Sequence, residues 1–364
     1  MQMLDYQERI IFTLRELYDR YGYRPYKMNK FEEYDLYARN KDFLISDSII
    51  TFTDTNGKLM ALKPDVTLSI VKNTTDTDLS VQKLYYNETV YRVSKGSRSF
   101  REMMQVGLEC LGDIDDYCIA EVLLLAAKSL MSISSECVLD VSHLGLVSEL
   151  IREAGVPGDV QSDVFKAIGE KNLHELESIC RSSGVSEERI RLLTRVFSLS
   201  GSIREILPEL RKLLTGDAFL RFDRILSVLL NTPQADLLRI DFSVVDNIHY
   251  YNGFVFKGFI SGVPNGVLSG GQYDKLMKKM HRACGAIGFA VYTDMLERLG
   301  DSPDGFDVDT VLLYPQDAPA EAVFRKTEEL TAQGLYVLAL SRIPEQLRYR
   351  NLVRLEVTDL AENT

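Results

Sequence analysis

The feature that most constrains this chain is a change of texture between residues 156 and 230. Apolar residues there recur at helical spacing throughout, and charged residues crowd the stretch KAIGEKNLHELESICRSSGVSEERIRLLTRVF. The segments on either side carry β character. A helical block between two β-rich stretches reads as an insertion, which gives three parts. A core takes residues 1–155 and 232–301, the helical insertion takes 156–231, and a small α/β tail takes 306–364. The linker Ser302-Pro303-Asp304-Gly305 sets off the tail.

Local signals fill in the parts. Residues 4–21 predict an amphipathic helix, with Leu4, Ile11, Leu14, Leu17, Tyr18 and Tyr21 at helical spacing and Gly22 as its C-cap. Ile49–Thr53 and Lys58–Leu62 predict a hairpin across Asn56-Gly57, both turn residues at φ > 0. Asp65 is a natural N-cap for a helix over 66–73. Strands at Val81–Val93 and Phe100–Leu111 flank a polar loop, Ser94 to Ser99. A helix at 116–132, a strand at Val138–Val141 and a helix at 143–154 follow. After the insertion, strands are expected at Leu237–Val244, Phe254–Ile260 and Gly266–Ser269, the last broken by Gly270-Gly271. A short helix, a strand at Gly285–Val291 and a helix at 292–300 close the core. Thr310–Tyr314, Pro319–Ala332 and Tyr336–Ala339 read as strand–helix–strand, with a further strand at Leu352–Val357.

Composition narrows the function classes. The 364 residues suit two or three domains at ~100–200 residues each. Lys and Arg total 42 against 53 Asp and Glu, a net charge of −11, which argues against a chain built to hold nucleic acid through its phosphates. No apolar run approaches the ~20 residues of a bilayer span. The polar, acidic start from Met1 to Ile10 does not read as a secretory signal, so the cytoplasm is the expected compartment. Five scattered cysteines without a CxxC pair, and four histidines, predict neither a disulfide framework nor a metal site, and no cofactor is expected.

Compact catalytic motifs are missing: no P-loop, no HExxH, no GxSxG and no GxGxxG after a strand. Function must come from dispersed residues, and four blocks stand out. They are Leu62-Lys63-Pro64-Asp65-Val66-Thr67; Val90-Tyr91-Arg92 with Met104-Gln105-Val106-Gly107-Leu108-Glu109; His249-Tyr250-Tyr251-Asn252; and Gly270-Gly271-Gln272-Tyr273-Asp274. Each has a structural reading by itself: a cap at Asp65, a solvated sheet face at Gln105 and Glu109, core aromatics at Tyr250-Tyr251.

In this order and spacing the blocks resemble the catalytic core of histidyl-tRNA synthetase, a class II aminoacyl-tRNA synthetase. They are more similar still to its non-synthesising paralogues, the regulatory subunits of ATP phosphoribosyltransferase. The resemblance covers residues 4–300, with a weaker echo of an anticodon-binding domain in 306–364. It implies an α+β fold, a class II synthetase-like antiparallel sheet flanked by helices, dimerising through the first helix and nearby strands. It also implies a histidine pocket. Asp65, Thr67 and Gln105 would hold the α-amino group, Glu109 and Tyr251 the imidazole nitrogens, with Tyr250 and Tyr273 lining the pocket. The chemistry is coherent, because an ammonium wants a carboxylate with neutral acceptors and an imidazole wants one partner per nitrogen.

Departures from the synthetase pattern bear on the reaction. The resemblance places an arginine that stabilises the carboxylate and α-phosphate five residues before the second tyrosine, and here that residue is Asp246. Losing such a clamp costs a factor of ~10²–10³ or more. The ATP-binding arginine that ends motif 3 is replaced by Met295, and the glycine before it by Tyr292; Arg298 lies about a turn further on. Arg92 is kept, as a candidate phosphate or anion contact, but the run after it reads Val93-Ser94-Lys95. The motif 1 proline is Asn29, and the tail ends in Glu356, Asp359 and Glu362, a poor surface for tRNA.

The resemblance therefore implies a non-catalytic chain that activates a short catalytic subunit in the first step of histidine biosynthesis. Its implied partners are that subunit, in a hetero-octamer, a second copy of itself and histidine as a feedback ligand, with no membrane and no tRNA. An authentic histidine–tRNA ligase and a stand-alone histidine-binding paralogue are the alternatives.

Overall fold

A computed structural model describes residues 6–44, 49–75, 80–93, 99–245, 250–299 and 306–355. Asp246 and His249, the loop 94–98, the linker 302–305 and the acidic residues Glu356, Asp359 and Glu362 lie outside the described residues. Two units divide the chain, Met1–Glu297 and Arg298–Thr364.

The first unit begins with helix α1 (Tyr6–Arg20), whose buried stripe is Ile10, Ile11, Leu14 and Tyr18. Short strands β1 (Arg24–Pro25) and β2 (Phe31–Glu33), helix α2 (Tyr34–Ala38), strands β3 (Thr51–Thr53) and β4 (Leu59–Leu62) and helix α3 (Thr67–Asn73) follow. The long hairpin β5 (Val81–Val93) and β6 (Phe100–Gly112) leads to α4 (Asp116–Ile133), β7 (Cys137–His143) and α5 (Leu144–Glu153). Helices α6 (Gln161–Gly169), α7 (Leu173–Ser182) and α8 (Glu187–Ser198), strand β8 (Ser200–Ser202), then α9 (Ile203–Leu213) and α10 (Asp217–Leu229) occupy the stretch of helical texture. The chain returns through β9 (Leu238–Asp241), β10 (Phe254–Ile260), β11 (Leu268–Gln272), α11 (Asp274–Lys279) and β12 (Gly285–Tyr292).

Nine of these strands form one sheet in the order β1-β5-β6-β12-β11-β10-β7-β9-β8. It is antiparallel through its centre and parallel at two pairings, β1 with β5 and β7 with β9. β12 enters between β6 and β11, so strands from before and after the helical stretch interleave. Strand β6 is buried along most of its length, as a central strand covered on both faces must be. A smaller sheet, β2-β4-β3, packs beside α3.

Several expectations are corrected in detail. Gly270-Gly271 does not break a strand; both residues lie inside β11. A side chain at Gly270 would meet the Phe256 ring at 2.7 Å, and one at Gly271 would meet the Tyr251 ring at 2.7 Å, so close packing, not a turn, requires these glycines. At the hairpin only Gly57 has positive φ, +81°, and Asn56 does not. Asp54 organises that loop instead, its Oδ1 accepting from Asn56 N and Lys58 N, each at 2.8 Å. Residues 293–299 wind as a 3₁₀ helix, Thr293–Leu299, not an α-helix. The Thr293 hydroxyl ties its start to the carbonyl of Met104 at 3.3 Å. The strand expected at Leu237–Val244 ends at Asp241, where the carboxylate takes Ser243 N at 2.9 Å and turns the chain.

The second unit is built from β13 (Val308–Leu313), α12 (Ala320–Ala332), β14 (Val337–Leu340) and β15 (Tyr349–Arg354). All three strands are parallel, in the order β14-β13-β15, and the last lies earlier than the expected Leu352–Val357. Leu312, Ala322, Leu330 and Leu355 form its small core. Among the described residues no helix is long and apolar enough to cross a membrane, and no group of three or more His, Cys, Asp or Glu could hold a metal ion.

Candidate ligand site

Cross-strand register decides which residues share a face of the large sheet. Glu109 of β6 pairs with Gly288 of β12, which pairs with Gly271 of β11 and then Val255 of β10. Two residues along, Tyr86, Gly107, Ala290, Ser269 and Lys257 make the next row on the same face. A third row carries Glu88, Gln105 and Tyr292. The glycines of this face make room for the protein's own groups, Glu109 over Gly288, the Tyr251 ring over Gly271 and the Tyr86 phenol against Gly107, while Ala290 and Ser269 stay part-exposed on the cleft floor.

Walls rise from three other places. Helix α3 and the residues before it bring Asp65 and Thr67, the loop before β10 brings Tyr250 and Tyr251, and the end of β11 brings Tyr273. The resulting cleft has a volume of about 330 Å³, at the small end of ligand pockets. All eight residues singled out from sequence line it: Asp65, Thr67, Arg92, Gln105 and Glu109, with Tyr250, Tyr251 and Tyr273.

At the inner end Glu109 is the hub. Its Oε1 accepts from Thr67 Oγ1 at 2.8 Å and its Oε2 from the Tyr273 hydroxyl at 2.7 Å. Burial pushes its carboxyl up to about 8, against the lowering effect of those two hydrogen bonds, and the Asp65 charge adds to the rise. Asp65 is raised as well, mainly by burial, although its Oδ1 takes Leu68 N at 2.9 Å and Arg92 draws it down. The same carboxylate therefore takes a backbone N–H in the first turn of α3, one residue before the N-cap Val66 and not at the cap itself, and faces the cleft.

Burial holds the phenols of Tyr86, Tyr250 and Tyr273 well above the usual tyrosine range, so they stay protonated and can donate. Tyr250 packs edge-on to Tyr251, ring centroids 4.7 Å apart, and tilts against Tyr273 at 5.8 Å. Gln105 is only 4% exposed and has no side-chain hydrogen bond among the described residues, so its amide is available to a ligand. Arg92 is anchored by Nε to the Pro64 carbonyl at 3.1 Å. Two close carboxyls that burial disfavours as anions gain a counter-charge from an arriving cation, and with phenol donors and one unengaged amide they suit a small cationic ligand that also carries nitrogen acceptors.

Other members of the four blocks build the scaffold instead. Gln272 Oε1 takes Phe254 N at 2.9 Å, and Asp274 receives Asn252 Nδ2 and Ala286 N, both at 3.0 Å. Sequence inspection did not single out Tyr86, Lys257 or Ser269 as cleft residues, nor Tyr292 as part of its wall. Their one signal is period-2 alternation, which needs the register to be read. Met295 also lines the cleft.

A class II aminoacyl-tRNA synthetase-like core, with its ligand cleft on the face of a mainly antiparallel sheet, is what this fold and site define. The histidyl-tRNA synthetase family model matches residues 3–296, and the chain belongs to that family. Within it, the chain is 22% identical over 354 residues to the ATP phosphoribosyltransferase regulatory subunit of Oceanobacillus iheyensis, covering 94% of this chain and 87% of that one. It is 27% identical over 334 residues to the histidine–tRNA ligase of Methanocaldococcus jannaschii, covering 89% and 77%. Among solved structures, an ATP phosphoribosyltransferase regulatory subunit/histidyl-tRNA synthetase from Bacillus halodurans C superposes with a TM-score of 0.78 at 22% identity, over 96% of this chain and 93% of that one. The ATP phosphoribosyl transferase (HisG:HisZ) complex from Thermotoga maritima contains a chain with a TM-score of 0.63 at 20% identity, over 80% and 98%.

Proposed function

We propose that this chain is the regulatory subunit of an ATP phosphoribosyltransferase, working in the cytoplasm, and that its cleft binds free histidine as the feedback signal. It would activate a short catalytic partner that condenses ATP with phosphoribosyl pyrophosphate, without catalysing adenylate formation itself. The observation that carries the reading is the contrast between the two ends of the cleft. Asp65, Thr67 and Glu109 converge at the inner end, while Tyr292 and Met295 line the cleft at positions where the resemblance to the synthetase would place glycine and arginine. The α-amino group would sit with Asp65, Thr67 and Gln105, and the imidazole between Glu109 and Tyr251. Charge-assisted bonds in such a site contribute about 1.5–3 kcal/mol each.

Regulation requires that histidine bind one state of the assembly more tightly than another. Reconstitution with the short catalytic subunit from the same source tests this directly. Phosphoribosyl-ATP formation should rise when this chain is added and fall when histidine follows. No gain with a folded partner would sink the reading. The similarity to the M. jannaschii ligase supports a second reading, histidine–tRNA ligation. Histidine-dependent pyrophosphate exchange by this chain alone would favour it.

A further inference from the structure

The cleft floor is filled at the Glu109 row, where Glu109 lies over Gly288 and the Tyr251 ring over Gly271, and is part-exposed further along at Ala290 and Ser269. Tyr292 stands at the end of β12, opposite Gln105, and its side chain is on the floor side. Its hydroxyl meets Ser269 Oγ at 2.6 Å. Ser269 pairs with Ala290, two residues back from Tyr292, on the neighbouring strand. The Tyr292 ring therefore runs diagonally across the floor, past Ala290, and is pinned on the far side by Ser269. It stands beside Ala290 and Ser269, the part-exposed small residues of the floor.

We propose that Tyr292, pinned by Ser269, is the specificity-determining residue of this cleft: it admits an amino acid with a free or small carboxyl end and rejects one bulkily extended there. The inference rests on the cleft's being an amino-acid site. Orientation follows from the chemistry of the two ends. An imidazole at Glu109 and an ammonium at Asp65 and Gln105 leave the carboxyl end pointing along the floor toward Tyr292. Phenol and hydroxyl together make a neutral, hydrogen-bonded wall. A carboxyl substituent larger than that gap must displace an aromatic ring already held by a partner, whereas a glycine at this position would carry the floor on.

Isothermal titration of the full chain with three probes tests the wall. The probes are L-histidine, L-histidinamide and L-histidine β-naphthylamide. Histidinamide and the naphthylamide both lack the carboxylate charge, and the naphthyl group's added apolar surface would by itself favour binding, so a preference for histidinamide reports exclusion by size. The wild-type chain should prefer histidinamide at least 30-fold, and Tyr292→Gly should reduce that ratio below about threefold. Tyr292→Ser, with a small side chain better suited to a strand than glycine, should reduce it as well and serves if the glycine variant does not fold. A wild-type ratio near one overturns the proposal. So does a ratio that stays above 30-fold in whichever variant folds. If the wild-type chain binds neither histidine nor histidinamide, the amino-acid reading itself fails, and the wall proposal falls with it.

Discussion

Gly288 and Glu109 are cross-strand partners, and the carboxylate of one occupies the space that a side chain on the other would need. A methyl group at Gly288 would overlap Glu109 Oε2 and the Leu108 carbonyl. The buried carboxyl at the heart of the cleft is therefore possible only because its neighbour has no Cβ.

Gly288→Ala should accordingly destabilise the chain by about 1–3 kcal/mol, the usual range for overpacking, and abolish histidine binding. Glu109→Ala in the same chain should recover part of the lost stability, because it removes the overlapping atoms. Denaturant unfolding of both single variants and the double variant gives the coupling. Additive effects would mean that the Glu109 side chain is not what the methyl meets.

Glu109 also predicts a pH dependence of stability. Its folded-state value, about 8, lies above its ordinary value of 4.5. Between those values the unfolded chain gives up a proton that the folded chain keeps. This contribution is therefore fully favourable below pH 4.5 and is lost as pH rises through 8. In the absence of ligand, Glu109→Gln should gain on the wild type in melting temperature between pH 5 and pH 8.5. Parallel melting curves across that range would contradict the assignment.

His143 works in the opposite direction. Burial, with Arg221 nearby, lowers it to about 4 from 6.5, while its Nδ1 accepts Leu146 N at 2.9 Å and caps α5. Below pH 6.5 the unfolded chain gains a proton that the folded chain refuses, so stability falls toward pH 4. His143→Asn keeps a capping acceptor and should flatten that part of the profile. The decisive measurement is the unfolding free energy at pH 7 and pH 5. An unchanged difference between the two would remove His143 as the cause.

Asp65 accepts Leu68 N at the start of α3 and, on the proposed reading, holds the ligand's ammonium, and one substitution can separate the two. Asp65→Asn retains an oxygen for Leu68 N but loses the charge. Stability should change little, while histidine affinity should drop at least tenfold, following the ~1.5–3 kcal/mol of a charge-assisted bond. Titration of wild type and variant reads the affinity and a thermal melt reads the bond to Leu68 N. Equal affinities would place the ligand's ammonium elsewhere.

What the sequence made legible follows from the range of the signal. The strands expected at Val81–Val93 and Phe100–Leu111 and the helix expected at 116–132 match Val81–Val93, Phe100–Gly112 and Asp116–Ile133 to within a residue, because their signals are local. Asp65, Glu109 and Tyr273 were readable as a group through their resemblance to a family, and they do share one cleft. The role of Gly270-Gly271 was not readable. Two adjacent glycines signal a turn locally, and only the rings of Phe256 and Tyr251 on neighbouring segments reveal a packing role. Tyr292 was missed as a wall for the same reason, since its partner Ser269 is fixed by register between β11 and β12. The Asn56-Gly57 turn was misread because the acceptor that organises it, Asp54, belongs to the loop and not to the dipeptide.

The insertion of β12 beside β6 also fixes an order of events at the ribosome. Strand β6 emerges early, yet the strand that covers its open side follows roughly 170 residues later, a delay of ~9–35 s at ~5–20 residues per second. Throughout that interval the β6 edge lacks the strand that pairs with it in the finished fold. Protection during synthesis thus falls to whatever shields that edge outside the exit tunnel, and slowing translation across 113–284 would lengthen the exposure and raise the yield of aggregate.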